Sequence, residues 1–464
     1  MLSSWTCLCL CLSAGLINLQ SDSADVRALV SKIVPLVKKC PFMTNADVRS
    51  ALLGLQGMHA DSSKEVAALF CAVTDLLERS KIKFSTPSDI SSALYGLQGL
   101  GSETPSGKKL LLLLTKMMDS VPLSFPPVTT KNDPVEPILV DSIDVELGYS
   151  PASDRYSRST AFKGRDVAMS LYGLRAASGA AKEAIDIISA LVPHVVFLED
   201  RLTANDVATC LYGLQNFNSK QKKVLELLRA LNPHILNASG KFNPKGLSMA
   251  LNGLQGFDSS HVEVRELIRG ISIIARRTVG DFPGFEDFHQ LSAALYGLSS
   301  LSTTHPEVVE LVTCLSKMVH TQQPSGSRRT KSPGLQKLES TPKADKVGMA
   351  LYGLQRMSPK VEAMNTLLEG LLEYVTCMPS PNCIAIGMAF QSFKFCNGQP
   401  TAVQSAILDV LADKIVGFSS RNIGKTKSSM YNVRKPQSAD KFATIRRYAL
   451  RRFAVCVLPP TQLQ

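Results

Sequence analysis

Large aromatic side chains are scarce in this sequence: one Trp in 464 residues, and Phe, Tyr and Trp together only 6%. A core with so few rings has to come from leucine, alanine and valine packed on helices. Paired-cysteine signatures are missing as well. The eleven cysteines are odd in number, none is spaced Cys-x-x-Cys, and no His-x3–5-His partner follows. Disulfide and zinc frameworks are therefore excluded as organising devices, and an intracellular reducing compartment fits. Several cysteines, such as Cys71, Cys210 and Cys314, fall on apolar helix positions and are expected to be buried. No His-Glu-x-x-His, acidic pair or nucleophile–base arrangement is visible, so neither catalysis, a cofactor nor a metal is indicated. Trp5–Ile17 is apolar but too short to cross a bilayer as a helix, which needs about 20 residues.

The chain has instead a returning theme. It reads ALLGLQG at Ala51–Gly57, ALYGLQG at Ala93–Gly99, SLYGLRA at Ser170–Ala176 and CLYGLQN at Cys210–Asn216. ALNGLQG at Ala250–Gly256, ALYGLSS at Ala294–Ser300 and ALYGLQR at Ala350–Arg356 complete the set. The register glycines are Gly54, Gly96, Gly173, Gly213, Gly253, Gly297 and Gly353, with spacings of 42, 77, 40, 40, 44 and 56 residues. A period near 40 marks a stacked array of supersecondary units that presents a long surface.

Counting from each glycine as zero, an apolar anchor stands at −6 and leucine at −2 and +1. Those offsets are one helical face. A cap former recurs at −10: Thr44, Thr86, Thr203, Asn243 and Asp287. Thr44-x-x-Asp47 and Thr203-x-x-Asp206 read as capping boxes, and Pro87 and Pro244 occupy the first helical position. Each theme is thus the body of a first helix of roughly 14 residues. Second helices follow, clearest at Glu65–Leu77, Lys222–Leu231, Val262–Ile274, Pro306–Met318 and Val361–Tyr374. The expected fold is an all-α solenoid of seven clear hairpins with a worn repeat at each end. Glycine inside a helix costs about 1 kcal/mol against alanine. Its fixed register, with a small residue at −3, implies close backbone approach to a neighbouring helix.

The worn repeats are placed on Ile386, Phe390, Ser392 and Phe393 at one end and on Leu12, Leu16, Asn18 and Leu19 at the other. Val26, Leu29, Val30 and Ile33 supply the latter's second helix. The segments are N-terminal repeats over 1–120, an insertion over 121–160, central repeats over 161–321 and an insertion over 322–343. Last come repeats over 344–413 and a basic tail over 414–464. Both insertions are rich in Pro and Ser and read as loops, and Ser332-Pro333 is either a phosphosite or plain linker. The apolar N-terminus is either a signal-peptide core, implying secretion, or part of a repeat whose upstream targeting segment is missing.

Net charge is +12, and the tail from Lys414 onward carries eleven Lys/Arg against one acid, Asp440. The repeats are then close to neutral, and the footprint for a polyanion lies in the tail. Within it, Ala439–Phe453 is basic and amphipathic, with Arg446, Arg447, Arg451 and Arg452 as candidate phosphate contacts or as the solvated rim of a capping helix. Ser420–Thr426 (SRNIGKT) is a weak phosphate-loop match lacking the first glycine. His194 and His234, 40 residues apart in Pro-His after second helices, fit packing or capping better than a metal. At −1, opposite the buried face, stand Tyr95, Tyr172, Tyr212, Tyr296 and Tyr352, with Leu53 and Asn252 breaking the series. They form either a ladder on which unpaired bases stack, at roughly 1–3 kcal/mol per base, or interior packing.

Hairpin repeats of this length, with a small-residue and leucine signature on the first helix, resemble the octotricopeptide repeats and the helical arrays of the FAST-kinase-like and RAP-domain proteins. The resemblance spans roughly Leu12–Phe395. This chain has Leu-Tyr-Gly-Leu-Gln where those families tend to Leu-Trp-Ala-Leu-Ala, and no RAP domain is recognisable in Ser419–Gln464. The resemblance implies a non-enzymatic protein in a mitochondrion or plastid that binds single-stranded RNA and steers its processing, stability or translation. A protein–protein scaffold using the same surface is the alternative, with no membrane span in either case.

Overall fold

The computed structural model describes residues 16, 19, 21–119 apart from 60, 61 and 85, then 121, 162–320 apart from 199 and 286, 343–378, 387–389 and 401–423. Every regular element among them is an α-helix. In chain order these are α1 Ala24–Lys39, α2 Asn45–Gly54, α3 Lys64–Ser80, α4 Pro87–Tyr95, α5 Pro105–Met118, α6 Gly164–Gly173, α7 Lys182–Val196 and α8 Ala204–Gly213. They continue as α9 Lys222–Leu236, α10 Pro244–Asn252, α11 Val262–Val279, α12 Phe288–Tyr296, α13 Pro306–His320, α14 Ala344–Gly353, α15 Glu362–Cys377 and α16 Ala402–Ile423. Two compact units result, Met1–Asp206 with Lys220–His234, and Val207–Ser219 with Ile235–Gln464.

Each unit is a helical solenoid. In the N-terminal unit the first helices α2, α4 and α6 pack in sequence, as do the second helices α1, α3, α5 and α7. In the C-terminal unit α10, α12 and α14 form one row and α11, α13, α15 and α16 the other. The two long intervals do not break the stack. α6 packs directly on α4 across residues 121–160, and α14 on α12 across 322–343, so both insertions lie between repeats that touch. Nearly all of either segment is outside the described residues.

The predicted face is the core: the anchors at −6 and the leucines at −2 and +1 are at most 2% exposed in all seven repeats. Capping is as expected. The backbone N–H of Asp47 donates to Thr44 Oγ1 (3.3 Å) while Thr44 N–H donates to Asp47 Oδ2 (2.9 Å). The same reciprocal pair forms at Thr203–Asp206 and, additionally, at Thr86–Asp89.

The first helices are shorter than expected, 9 or 10 residues. They end at the glycine, because the +1 N–H bonds the −2 carbonyl, as in Leu97 to Leu94 (2.9 Å) and Leu298 to Leu295 (3.0 Å). This i→i+3 bond closes the helix in a tighter turn. The glycine sits at the helix end rather than inside it, with an ordinary φ of −62° at Gly96 and −60° at Gly297. What it supplies is the missing Cβ. A Cβ at Gly96, Gly173, Gly253, Gly297 or Gly353 would fall 2.1, 1.9, 2.1, 1.8 or 1.9 Å from the −2 leucine carbonyl oxygen of the preceding repeat.

Second helices run a turn longer than expected. α7 and α9 continue through Pro193-His194 and Pro233-His234, since burying Val195 and Ile235 outweighs one lost backbone bond near a helix end. On α1 the buried face is Val26, Val30, Val34 and Val37, leaving Leu29 exposed. Cys71 is exposed, while Cys210 and Cys314 are buried.

The N-terminal register is corrected by three residues. Leu19 N–H donates to Leu16 O (3.1 Å), as Met58 does to Leu55, and a Cβ on Gly57 would meet Leu19 O as one on Gly99 would meet Met58 O. Leu16 and Leu19 are therefore the +1 and +4 residues, and Gly15, 39 residues before Gly54, falls at the glycine register in place of Asn18. Ile386, Phe390, Ser392 and Phe393 lie outside the described residues, although the −3 residue of that register, Ala389, is buried.

Replacing Gly297 with alanine should destabilise the protein by about 1–3 kcal/mol, because backbone rather than a flexible side chain has to move. Gly280→Ala is the control: it has φ −67° and nothing within 4 Å of an added Cβ. Denaturant unfolding should show it unchanged or stabilised by up to about 1 kcal/mol.

Candidate nucleic-acid interface

A helix packed at −6, −2 and +1 presents −8, −4, −1 and +3 on its opposite side. Those positions form the outward stripe of each first-helix row. The stripe varies where the core does not. Its −8 residues are Ala46, Ser88, Arg165, Asn205, Lys245, His289 and Asp345, all exposed except the half-buried Asp345. At −4 stand Ser50, Ser92, Met169, Thr209, Met249, Ala293 and Met349.

All five −1 tyrosines are half-buried. Four of them meet in pairs. Tyr95 stacks on Tyr172 in the N-terminal unit with centroids 5.6 Å apart and planes at 21°. Tyr296 stacks on Tyr352 in the C-terminal unit at 5.9 Å and 27°. The Arg175 guanidinium lies 4.7 Å from the Tyr172 centroid and donates to its hydroxyl. The mutually facing ring faces are covered.

Three polar ladders hold this row in place. The +2 side chain reaches the preceding repeat: Gln98 Nε2 donates to Gln56 Oε1 (3.3 Å), Arg175 Nε to Gln98 O (3.4 Å), Gln255 Nε2 to Gln215 O (2.7 Å) and Gln355 Nε2 to Ser299 O (3.2 Å). A hydroxyl at +6 accepts from the +5 N–H of the next repeat: Ser102 from Ser178 (2.7 Å), Ser219 from Asp258 (2.9 Å), Ser259 from Ser302 (3.0 Å) and Thr303 from Ser358 (2.7 Å). A serine at −5 donates onward: Ser91 to Asp166 Oδ1 (3.0 Å), Ser248 to Gln290 O (2.7 Å) and Ser292 to Lys346 O (2.8 Å). The +6 and −5 hydroxyls were not expected, yet both columns are visible once the repeats are aligned on glycine.

Charge on the stripe is sparse and partly neutralised. Arg356 donates to Asp258 Oδ2 (2.8 Å), two repeats back, and to Ser300 O (2.8 Å). Burial would raise the Asp258 carboxyl, but the Arg356 guanidinium and the Ser260 hydrogen bonds outweigh it and hold it below the usual range. Burial pushes Asp166 up, opposed by bonds from Lys163 N–H and Ser91.

Elsewhere, a cleft of about 420 Å³ beside α11 and α13 is flanked by the Arg276–Glu310 ion pair and Cys314. Burial raises the Cys314 thiol, so it stays protonated and lacks nucleophilic character. Ser420–Ile423 form the end of α16, whereas a phosphate loop precedes a helix. Lys414, counted in the basic tail, donates to Thr376 O and Met378 O (both 2.8 Å) and so caps the C-terminus of α15. Arg446, Arg447, Arg451 and Arg452 lie outside the described residues. No described helix is long and apolar enough to cross a membrane.

His194 is buried against the Phe162 ring at 4.5 Å. Burial lowers its proton affinity, and that of His234 despite a hydrogen bond to the Val195 backbone. The unfolded chain therefore takes up these protons first as pH falls. Stability should be complete above about pH 6.5 and decline below it, and His194→Gln with His234→Gln should flatten that decline in melts across pH.

A double-mutant cycle of Tyr296→Leu and Tyr352→Leu should return a coupling of about 0.5–1.5 kcal/mol in unfolding free energy, the ordinary worth of a stacked pair. Additive losses would mean that the rings do not bear on one another. No protein-family model matches this chain, and no curated protein matches it either.

Proposed function

We propose that this chain is a non-enzymatic RNA-binding helical-repeat protein acting in organellar RNA processing, stability or translation. Single-stranded RNA is the ligand, lying along the first-helix stripe. The observation that carries this reading is a half-exposed tyrosine at −1 in five of the seven repeats, beside positions that vary from repeat to repeat. Because ring faces within each stacked pair are covered, bases engage the outward edges and hydroxyls. Stacking is confined to faces outside the pairs. The tail cations supply attraction to phosphate.

A protein–protein scaffold is the second reading. It is favoured by the near-neutral repeats and by tyrosines that satisfy one another.

Changing Arg446, Arg447, Arg451 and Arg452 to alanine should weaken binding of the full chain to an RNA strand. The salt slope of log K should become shallower by roughly 0.7 for each phosphate that is no longer neutralised. Tyr296→Leu with Tyr352→Leu should lower RNA affinity in protein that remains folded. An unchanged slope would confine the tail to a structural role. A lower melting temperature with RNA affinity intact would move the tyrosines to packing and favour the scaffold.

A further inference from the structure

One corner of the N-terminal unit has a composition that neither the core nor the stripe explains. It joins the end of α1 to the start of α2, beside the end of α3. Phe42 is 57% exposed there. Around it stand the exposed cations Lys38, Lys39, Arg79, Lys81 and Lys83. None of the five is in an ion pair within 4.0 Å among the described residues.

Hydrogen bonds make the corner one body. Arg79 Nη2 donates to Lys38 O (3.4 Å), Met43 N–H to Ser80 Oγ (2.9 Å) and Asn45 Nδ2 to Lys83 O (2.9 Å). The other Arg79 bond, from Nε, also ends on a carbonyl, that of Asp75 at 3.3 Å, so its charge meets no carboxylate. The acids nearby are engaged elsewhere. Asp47 caps α2, while Asp75 and Glu78 share Lys109 at 2.9 and 2.8 Å.

The equivalent corner of the C-terminal unit shows that folding does not demand this surface. Phe242 N–H bonds Thr278 Oγ1 (3.0 Å) as Met43 bonds Ser80, and Arg277 reaches Ala238 O (2.8 Å) as Arg79 reaches Lys38. There the residue matching Phe42 is Lys241, and its charge is neutralised by Asp281. The scaffold is shared, and the bare ring and the cluster of five unpaired cations belong to one corner of the two, the other keeping Arg277, bonded to a carbonyl as Arg79 is.

We propose that this corner is a contact for single-stranded RNA, with Phe42 stacking on one unpaired base and the surrounding lysines and Arg79 engaging the flanking phosphates. A flat apolar face among free cations matches a polyanion whose bases are unpaired, since every base has a π-face and each link carries one charge. An acidic protein would match the cations but gain little from a lone ring. The choice of ligand rests on the RNA reading above, while the site uses no residue of the stripe or the tail.

The test uses the full chain with labelled oligouridine and oligoadenine strands, read by fluorescence anisotropy over a salt series. Phe42 is a surface residue, so Phe42→Ala should keep the wild-type melting temperature while raising Kd about tenfold. Lys81→Ala with Lys83→Ala should make the salt slope shallower by about 1.4, two phosphates at roughly 0.7 each. Wild-type binding with neither variant altered overturns the corner and leaves the RNA reading standing. Absence of wild-type binding overturns both. If Phe42→Ala instead releases the protein from phosphatidylserine vesicles with RNA affinity unchanged, the corner is a membrane contact and the proposal falls.

Discussion

The contact on which the rest depends is the approach of a register glycine to a leucine carbonyl of the preceding repeat, made by Gly96, Gly173, Gly253, Gly297 and Gly353. It involves no side chain on one partner and only backbone on the other. With the Cβ absent, the glycine Cα can approach the −2 carbonyl, a geometry that resembles the Cα–H···O contacts recurring at close helix interfaces. That carbonyl already accepts the +1 N–H of its own helix. The tight closing turn and the close approach to the next repeat are thus two uses of one oxygen. Any residue larger than glycine would separate the first helices and pull the polar ladders out of reach.

The ladders then settle a problem every short helix has, carbonyls at its C-terminal end with no partner inside the helix. Side chains at +2 from the following repeat donate to carbonyls beyond that end, as Gln255 does to Gln215 and Gln355 to Ser299. The +6 hydroxyls accept N–H groups in the adjoining turn. Helices of nine or ten residues are marginal alone. Here neighbours satisfy them, which is why the repeats are stable as a stack and why Gln recurs at +2 although it points away from the core.

Much of this was legible in the sequence, because a repeated residue with a repeated physical reason is easy to see. The core face, the caps at Thr44, Thr203 and Asn243 and the close approach at glycine all follow from offsets. What was not legible involved competition between neighbours. Pro193 and Pro233 read as helix ends, yet the helices continue because tertiary burial of Val195 and Ile235 outweighs the local signal. Offsets place the tyrosines opposite the core but cannot say whether a ring faces solvent or its neighbour, which depends on the spacing that glycine sets. The N-terminal register differs by three because leucines at Leu12, Leu16 and Leu19 fit two helical frames, and only the approach of the Leu19 carbonyl to Gly57 and the bond from His59 N–H to Ser21 distinguish them. The Phe42 corner escaped because its cations come from two repeats and look unremarkable in either alone.

Stack and surface are kept chemically apart in this design. Repeat-to-repeat cohesion comes from glycine, leucine, serine and glutamine at fixed offsets, and the −8 position, exposed in six of the seven repeats, is left to vary. A residue there can be Arg165, Asn205 or His289 without altering the pitch. The same separation holds at the corners, where one hydroxyl-to-backbone bond recurs while the exposed side chains change from a paired Lys241 to a bare Phe42. Insertions can enter at such corners because the first-helix contacts on either side remain intact, as Gly173 on Leu94 and Gly353 on Leu295 show. Exposed side chains at −8 can therefore change one repeat at a time, whereas the −1 tyrosines are tied to their neighbours by stacking.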